Sequence, residues 1–449
     1  MKKYDSYKDS GIDWIGEIPK RWTLEKIKHT TYVKGRIGWQ GLTTNEFIEE
    51  GESLVVTGTD FINGSINWDT CYQITKSRYD EDPYIQLREK DLLITKDGTI
   101  GKVAVVNKIP KIATLNSGIF VTRPVSNHYI SEFLYWMLVS DVFISFYRYN
   151  QSGSTIQHLY QNVFNEFKFC CPSIQEQTAI ANYLDHKTAQ IDALISKKEK
   201  LIELLNEERT ALINQAVTKG LNPDVPMKDS GIEWIGEVPA HWEMSKLKHL
   251  SSIISKGTTP STIGKDLIEE GVIKFIKAEN IFENIIRDHP SFFIDEETNE
   301  LLKRSNLCEN DVLFVIAGAT IGKVAILPKS FLPANTNQAV CFIRLKDTSR
   351  SMFLWLWLQS NYIREIIKLQ SNQAAQPNIS MEDIANFNIP TMDDNELQQI
   401  VSFIERHCSN LDSMSSRVSM QIDLLKEYRT ALISEVVTGK VDVRDEIIN

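Results

Sequence analysis

The chain has 449 residues, 42 % of them hydrophobic, and a formal net charge of −10. That length has room for roughly two to four domains with sizeable cores, and the acidity argues against a simple basic DNA-binding protein. No apolar run reaches about 18 residues, the Met1-Lys2-Lys3 start has no signal-peptide core, and the six cysteines and eight histidines form no CxxC, HExxH or HxH pattern, so a cytoplasmic chain without membrane span, zinc site or disulfide frame is expected.

In chain order, the first distinctive segment is KDSGIDWIGEIPKRWTLEKIKH at 8–29. It returns at 228–249 as KDSGIEWIGEVPAHWEMSKLKH, with 14 of 22 positions identical at an offset of 220. The same offset relates EERTALINQAVT (207–218) to EYRTALISEVVT (427–438). The chain is therefore two copies of one unit, far too long for a solenoid repeat. Two whole domains, each with an appendage and related by a pseudo-two-fold, offer two similar surfaces to a two-fold partner. Charge is uneven between them. Residues 1–170 carry 20 basic and 20 acidic side chains, whereas residues 390–449 carry 6 and 11. If the chain binds DNA, partner subunits supply much of the phosphate-neutralising charge.

A mixed segment opens each copy. In the first, β-type runs at 53–57, 91–95, 102–106 and 118–122 precede a helix-like apolar pattern at 130–147. In the second, the runs are 272–277, 311–316, 323–327 and 339–345, and the helical pattern is 351–369. Both segments read as α/β mixed with a curved sheet. A long helix follows each one. Leu184, Ile191, Leu205 and Leu212 fall on one seven-residue series, with Lys198 in its gap, and Ile404, Leu411, Val418, Leu425 and Leu432 form the other. The alternate row is assigned to Ile180, Lys187, Leu194 and Leu201, and to Ile400, His407, Met414, Gln421 and Tyr428. These are coiled-coil seams on helices about 60 Å long. Pro172 and Pro390 precede the helices, and Gly220 and Gly439 follow them. Each helix could pack on its own domain. Seams of equal length in a duplicated chain more naturally pair with each other, and connectivity favours antiparallel packing, with one mixed domain at each end of a rod. The expected boundaries are 1–172 for the first mixed domain, 173–220 for its helix, 221–390 for the second and 391–449 for its helix.

Catalytic constellations are absent from this reading. Asn222-Pro223-Asp224-Val225 lacks the second proline and the aromatic of an adenine methyltransferase loop, and no glycine-rich cofactor loop follows a strand. The turns at 98–103 (GTIGKV) and 318–324 (GATIGKV) are too short between glycines for a phosphate loop. Each is either a tight turn between strands or a turn that offers N–H groups and Lys102 or Lys323 to a DNA phosphate. Polar clusters sit at matched places. Lys34 and Arg36 align with Lys256 and Thr258, Thr59-Asp60 with Glu279-Asn280, and Asn116-Ser117 with Asn337-Gln338. Loop 150–158, with Ser154 and Gln157, aligns with 370–378, with Gln373 and Gln376. Asn, Gln, Arg and Lys read base edges through paired hydrogen bonds. Singly, each is equally an exposed loop side chain. As a set, loops matched in place but different in residue suit two readers of different sequences. Trp14, Trp22, Trp234 and Trp242 could stack on bases, but they lie in the best-matched stretch, which favours a shared structural role.

The chain resembles the specificity subunits of type I restriction–modification systems. The likeness spans the whole chain. It rests on DSGIxWIGExPxxW opening each copy, the GTIGKVA-type turns, the Pro-x-x-x-Glu-Gln helix start from Pro172 to Gln177, and RTALI-x-x-x-VT closing each copy. The second copy departs at its helix start, where the segment from Pro390 carries two extra residues and no Glu-Gln. The resemblance implies two target-recognition domains separated by an antiparallel coiled coil. Each domain reads one half of a bipartite, asymmetric double-stranded DNA target. It also implies no chemistry and no cofactor in this subunit. Two modification subunits bring S-adenosylmethionine and methylate adenine, and two restriction subunits, when present, bring ATP and Mg. The alternative is a specificity subunit of a methylation-only system. Two other classes compete: a methyltransferase or nuclease with its own recognition domains, and a coiled-coil adaptor without DNA affinity.

Overall fold

The computed structural model describes residues 2–36, 41–150, 158–371 and 378–446. The chain forms two compact units, Met1–Glu199 with Ser419–Asn449, and Lys200–Val418. Each holds one mixed domain, and the long helices Ile174–Lys219 and Asp394–Val437 each contribute to both units.

Both mixed domains have one topology. In the first, a four-stranded antiparallel sheet runs in the order Val103–Val105, Leu92–Thr95, Ile119–Pro124, Thr31–Gly35. A three-stranded sheet has Ser53–Val56 at its centre, parallel to Ala113–Leu115 and antiparallel to Tyr72–Ile74. Leu93, Ala104 and Val121 of the larger sheet pack with Leu54, Val56 and Leu115 of the smaller. Helix Ser131–Val139 lies against the larger sheet. Strands covered on both faces read as near-continuous apolar runs rather than alternating ones, and Leu92–Thr95 and Ser53–Val56 are buried at every position with one polar residue each. The second unit repeats this. Its larger sheet is Ser251–Lys256, Val340–Leu345, Val312–Val315, Val324–Ile326, and its smaller is Phe293–Ile294, Ile273–Ile276, Ala334–Thr336. Alternate residues face opposite ways: Leu313, Val315 and Phe342 pack with Ile276 and Ala334, while Val312, Phe314 and Ile343 join Phe353, Trp357, Ile400 and Ile404.

The opening and closing motifs explain each other. Tyr7–Asp9 pairs with Glu17–Pro19, and Met227–Asp229 with Glu237–Pro239, as matched hairpins. Each delivers a tryptophan, Trp22 or Trp242, into the core at 1 % and 0 % exposure. Gly439 follows the second long helix and lies against Pro19 and Trp22, where a Cβ would sit 3.0 Å from the indole. Gly220 follows the first helix and lies against Trp242, where a Cβ would sit at 3.3 Å. Both glycines have φ +73°, a left-handed helix end that favours glycine. Trp22 and Trp242 are thus helix-end docking sites. In the first unit the docked helix comes from the far end of the chain. There Asp442 N donates to the Lys2 carbonyl at 2.9 Å, and Arg444 holds Asp442 through two hydrogen bonds at 2.9 and 2.7 Å.

Each domain's start is zipped to its end, Thr23–Lys26 to Lys168–Cys171 and Glu243–Lys246 to Asn388–Thr391, so a long helix leaves beside each opening motif. Gln177 is fully buried at the first helix start. Its Oε1 accepts from Ile130 N at 2.9 Å, and its Nε2 donates to the His128 and Pro172 carbonyls at 2.8 and 2.9 Å. That network is the work of the Glu-Gln motif. In the second unit Leu397 occupies the matched turn and is packed in the apolar core.

The helices pair antiparallel. In the first unit Asp192 meets Arg429 at 2.9 Å and Lys198 donates to Gln421 at 2.6 Å, so one index falls as the other rises. In the second, Arg209 meets Asp412 at 3.3 Å. Leu184, Ile191, Leu205, Ile404, Leu411 and Leu432 are buried, and Leu212, Val418 and Leu425 are half-buried. The alternate row agrees with expectation at Ile180 and Ile400, which are fully buried, and departs from it farther along the helices. Leu194, Leu201, Met414 and Tyr428 are 43 %, 40 %, 48 % and 47 % exposed. Thr188, Ile195, Ile422 and Cys408 are buried in their stead. Both flanks of a heptad series satisfy three-four spacing, and the tilt of the partner helix, which the pattern does not carry, selects one.

A buried latch recurs in both domains. Arg123 forks onto Asp91 at 2.6 and 2.8 Å, and Arg344 onto Asp311 at 2.8 and 2.7 Å. Each carboxylate also accepts a backbone N–H at 2.7 Å, from Arg88 or Cys308. Arg344→Met leaves the fully buried Asp311 uncompensated, and a cost of about 3–5 kcal/mol is expected in urea unfolding. Ile191→Asp and Leu411→Asp each place a charge in the seam and cost several kcal/mol, whereas Leu194→Asp, on the outer row, stays within about 0.5 kcal/mol. Equal melting losses for Ile191→Asp and Leu194→Asp would contradict the seam described above.

Candidate nucleic-acid interface

Strand direction brings the matched loops together. In the first unit Thr31–Gly35 and Leu92–Thr95 are both antiparallel to Ile119–Pro124, so their carboxyl ends share one edge. Ser53–Val56 and Ala113–Leu115 are parallel and also end together. Residues 116–118 join the two sheets at that edge. Backbone hydrogen bonds tie the rim: Asn116 N to the Val56 carbonyl at 3.0 Å, Lys96 N to Gly118 at 2.8 Å, and Leu159 N to Lys96 at 2.9 Å. In the second unit Gly257 N donates to Asn337 at 3.0 Å, Ile316 N to Ala339 at 2.9 Å, and Ile379 N to Ile316 at 3.0 Å. Each rim therefore gathers the ends of four strands and the residue after a matched loop. Carboxyl-end rims of this kind carry function because loops can vary there without disturbing the sheets.

The nominated residues divide by what their side chains do. Lys34 is half-buried with its ammonium 5.5 Å from the Tyr84 ring centroid. Thr59, Lys102 and Lys256 are exposed, and Ser117 and Thr258 are half-buried. Thr59 Oγ1 shares a hydrogen bond with Thr57 Oγ1 at 2.7 Å. Asn116 Oδ1 accepts from Ser117 N at 2.7 Å, and Asn337 Oδ1 from Ala339 N at 3.1 Å, which fixes both carboxamides at the rim. Gln338 is exposed and bonded to Thr259 Oγ1. Lys323 lies 5.0 Å from the centroid of Phe282, with Arg287 at 3.8 Å from that ring. Two nominees face inward. Asn280 is buried, accepts from Lys277 N at 2.9 Å and donates to the Arg287 and Pro290 carbonyls at 3.1 and 2.8 Å, so its amide is spent on its own turn. Arg36 is 2 % exposed and bonded to Leu115 and Thr114, and burial lowers its pKa. Ser154, Gln157, Gln373 and Gln376 lie outside the described residues.

The glycine turns are settled by their hydrogen bonds. Gly101 N donates to the Thr95 carbonyl at 3.0 Å and Lys102 N to Thr95 Oγ1 at 2.9 Å. In the second unit Gly322 N donates to Val315 at 2.9 Å and Lys323 N to Thr320 at 3.2 Å. These N–H groups are spent inside tight turns between strands, which leaves the lysine side chains as the available donors. Sequence reasoning missed the hydrogen bond between His158 and Asp97, and Lys96, whose ammonium is 5.2 Å from the Phe120 ring centroid. Their counterparts in the second copy are different residue types, so the internal comparison gave no signal. Among the described residues no group of acidic, His or Cys side chains is placed to hold a metal ion, and no helix is long and apolar enough to cross a membrane.

Comparison with known proteins follows the duplication. The sequence model of the type I restriction modification DNA specificity domain matches residues 41–204 and again 239–422. The chain is 24 % identical over 442 residues to the type I restriction enzyme MjaIX specificity subunit of Methanocaldococcus jannaschii, covering 96 % of each chain. It is 23 % identical over 359 residues to the EcoBI specificity subunit of Escherichia coli, covering 78 % of this chain and 74 % of that one. Its fold is similar to a chain solved for complex assembly and conformational transition of the type I R-M system, with a TM-score of 0.68 at 15 % identity over 94 % and 99 % of the two chains. The HsdS subunit from Thermoanaerobacter tengcongensis gives 0.54 at 14 % identity over 94 % and 98 %. Two matched domains, one per copy and each carrying a strand-end rim, place the chain in the type I restriction–modification DNA specificity family, to which it belongs.

Proposed function

We propose that this specificity subunit reads a bipartite, asymmetric DNA target, one half-site per unit, and scaffolds catalytic partners without chemistry of its own. One observation carries the reading: the same five chain segments meet on one rim in both units, yet differ at matched positions such as Arg36 against Thr258 and Ser117 against Gln338. A shared scaffold with divergent rims is what two readers of unlike half-sites require. The net charge of −10 fits a subunit whose partners supply much of the positive surface.

The scaffolding role is supported by the outer helix row. Leu194, Leu424 and Tyr428 in the first unit, and Leu201, Leu204 and Met414 in the second, are exposed apolar side chains outside the buried seam. Leu194 matches Met414, and Leu204 matches Leu424, at the 220-residue offset. Paired apolar rows suit two identical partners, which we assign as modification subunits carrying S-adenosylmethionine. Restriction subunits, with ATP and Mg, would join the same assembly.

Methylome sequencing of a host with and without the chain should reveal one split, non-palindromic motif, and a continuous palindrome would refute the reading. Asn116→Ala and Asn337→Ala should each cost about 1–3 kcal/mol and relax specificity at one base position, in different half-sites. Competition with duplexes scrambled in one half-site checks this. Loss of the same half-site in both variants would break the assignment of one unit to one half-site. Lys102→Ala and Lys323→Ala should weaken binding to every sequence and lower the salt slope by about one. Leu194→Asp with Met414→Asp should leave the fold intact but abolish co-purification with modification subunits. Normal assembly of that double variant would remove the outer row from the scaffold.

A further inference from the structure

The two rims share a topology but are held by different means. A glycine follows the matched lysine in both units, but Gly257 lies against Thr336 and Asn337 and donates its N–H to the Asn337 carbonyl, whereas Gly35 lies against Ile119 and Phe120. A Cβ at Gly257 would overlap the Thr336 carbonyl, so backbone meets backbone there. In the first unit a side chain spans to the matching strand. Arg36 Nε donates to the Leu115 carbonyl at 2.9 Å, and Nη2 to Thr114 Oγ1 at 3.3 Å. Thr114 is fully buried and its hydroxyl donates onward to the Ile85 carbonyl at 3.4 Å. Leu115 immediately precedes the Asn116-Ser117 turn.

Arg36 is costly for stability alone. It is 2 % exposed, and both of its hydrogen bonds among the described residues go to neutral acceptors. A buried cation without a carboxylate partner is unfavourable, and an apolar side chain of similar volume would pack there at lower cost. Burial lowers its pKa and Arg78 adds like charge, while Asp82, Glu81 and Glu46 act the other way from a distance without bonding the guanidinium. A planar fork does what an apolar side chain cannot: it fixes two acceptors on one strand in distance and in angle. Those acceptors lie at the carboxyl end of Ala113–Leu115, from which the turn bearing Asn116 springs.

We infer that Arg36 is a specificity-positioning residue: from beneath the first rim it sets the height and angle of the Asn116-Ser117 turn, and so the base read there, without touching DNA. The inference rests on the reading of that rim as a half-site reader. It predicts that the first half-site depends on a buried arginine and the second does not, since Gly257 does the same work with backbone alone.

The test uses the full chain assembled with its modification partners and target duplexes substituted one base at a time. Arg36→Met should lower discrimination at one or two adjacent positions of one half-site by about tenfold. Discrimination in the other half-site, affinity for unrelated DNA and its salt slope should stay unchanged. Arg36→Lys keeps the charge but not the fork, and should lose discrimination as Arg36→Met does. Thr114→Val removes one acceptor at constant volume and should give an intermediate loss, and Thr114→Ser should restore it. Full discrimination in Arg36→Met overturns the inference. So does uniform weakening in Arg36→Met with rescue by lysine, which would mark a phosphate contact. If Arg36→Met does not fold, unchanged discrimination in Thr114→Val overturns it instead. Equal loss in both half-sites would overturn the assignment of one unit to one half-site, a failure distinct from that of Arg36.

Discussion

The contact of a helix-ending glycine with a buried tryptophan is the constraint on which the rest of the architecture depends. Gly439 sits on Trp22 and Gly220 on Trp242, each with a left-handed backbone that favours glycine and a close approach to the indole. This contact covers the opening hairpin and anchors the end of the long helix. In the second unit the two sides of the contact are close in sequence, and covalent chain holds them together. In the first they are more than 400 residues apart. The closure there is maintained by Trp22, by the Arg444–Asp442 fork and by the Lys2 carbonyl. The two long helices thus become structural parts of both units.

Once the helix ends are docked, the sheets are free to carry variation at their rims. The Arg123–Asp91 and Arg344–Asp311 latches and the apolar sheet faces hold the same positions in both domains. Several rim residues do not, as at Arg36 against Thr258 and Ser117 against Gln338. This division is physical. A buried ion pair or a close-packed face tolerates few substitutions, whereas a strand-end loop pays little for a changed side chain. The rims therefore can diverge while the frame below them does not. The departure at the second helix start belongs to the same logic: a buried amide network at Gln177 and an apolar contact at Leu397 are alternative ways to close the same turn.

Much of this was legible in the chain. The repeat, both helices, the strands and the matched rim loops could be placed because periodicity and internal identity report them directly. The fate of individual polar side chains could not. Asn280 and Asn337 look alike as loop asparagines at matched places, yet one spends its amide inside its own turn and the other is fixed at the rim. Arg36 reads as an exposed basic residue after a glycine, but it turns inward to Leu115. The partners that decide these outcomes, Pro290 for one and Leu115 for the other, are distant in sequence or apolar, and leave no pattern.

The sequence by itself determined the duplication, the two mixed domains, the two heptad helices and the absence of a recognisable catalytic motif, because each is a property of spacing and identity along one dimension. Only the tertiary structure decided which flank of each helix faces its partner, which end of the sheets gathers the variable loops, and which polar residues lie beneath the rim rather than on it. Those are properties of tilt, strand direction and long-range hydrogen bonding. Two heptad flanks with equal spacing are degenerate in sequence. The Asp192–Arg429 contact and the burial of Ile195 mark the one selected in space.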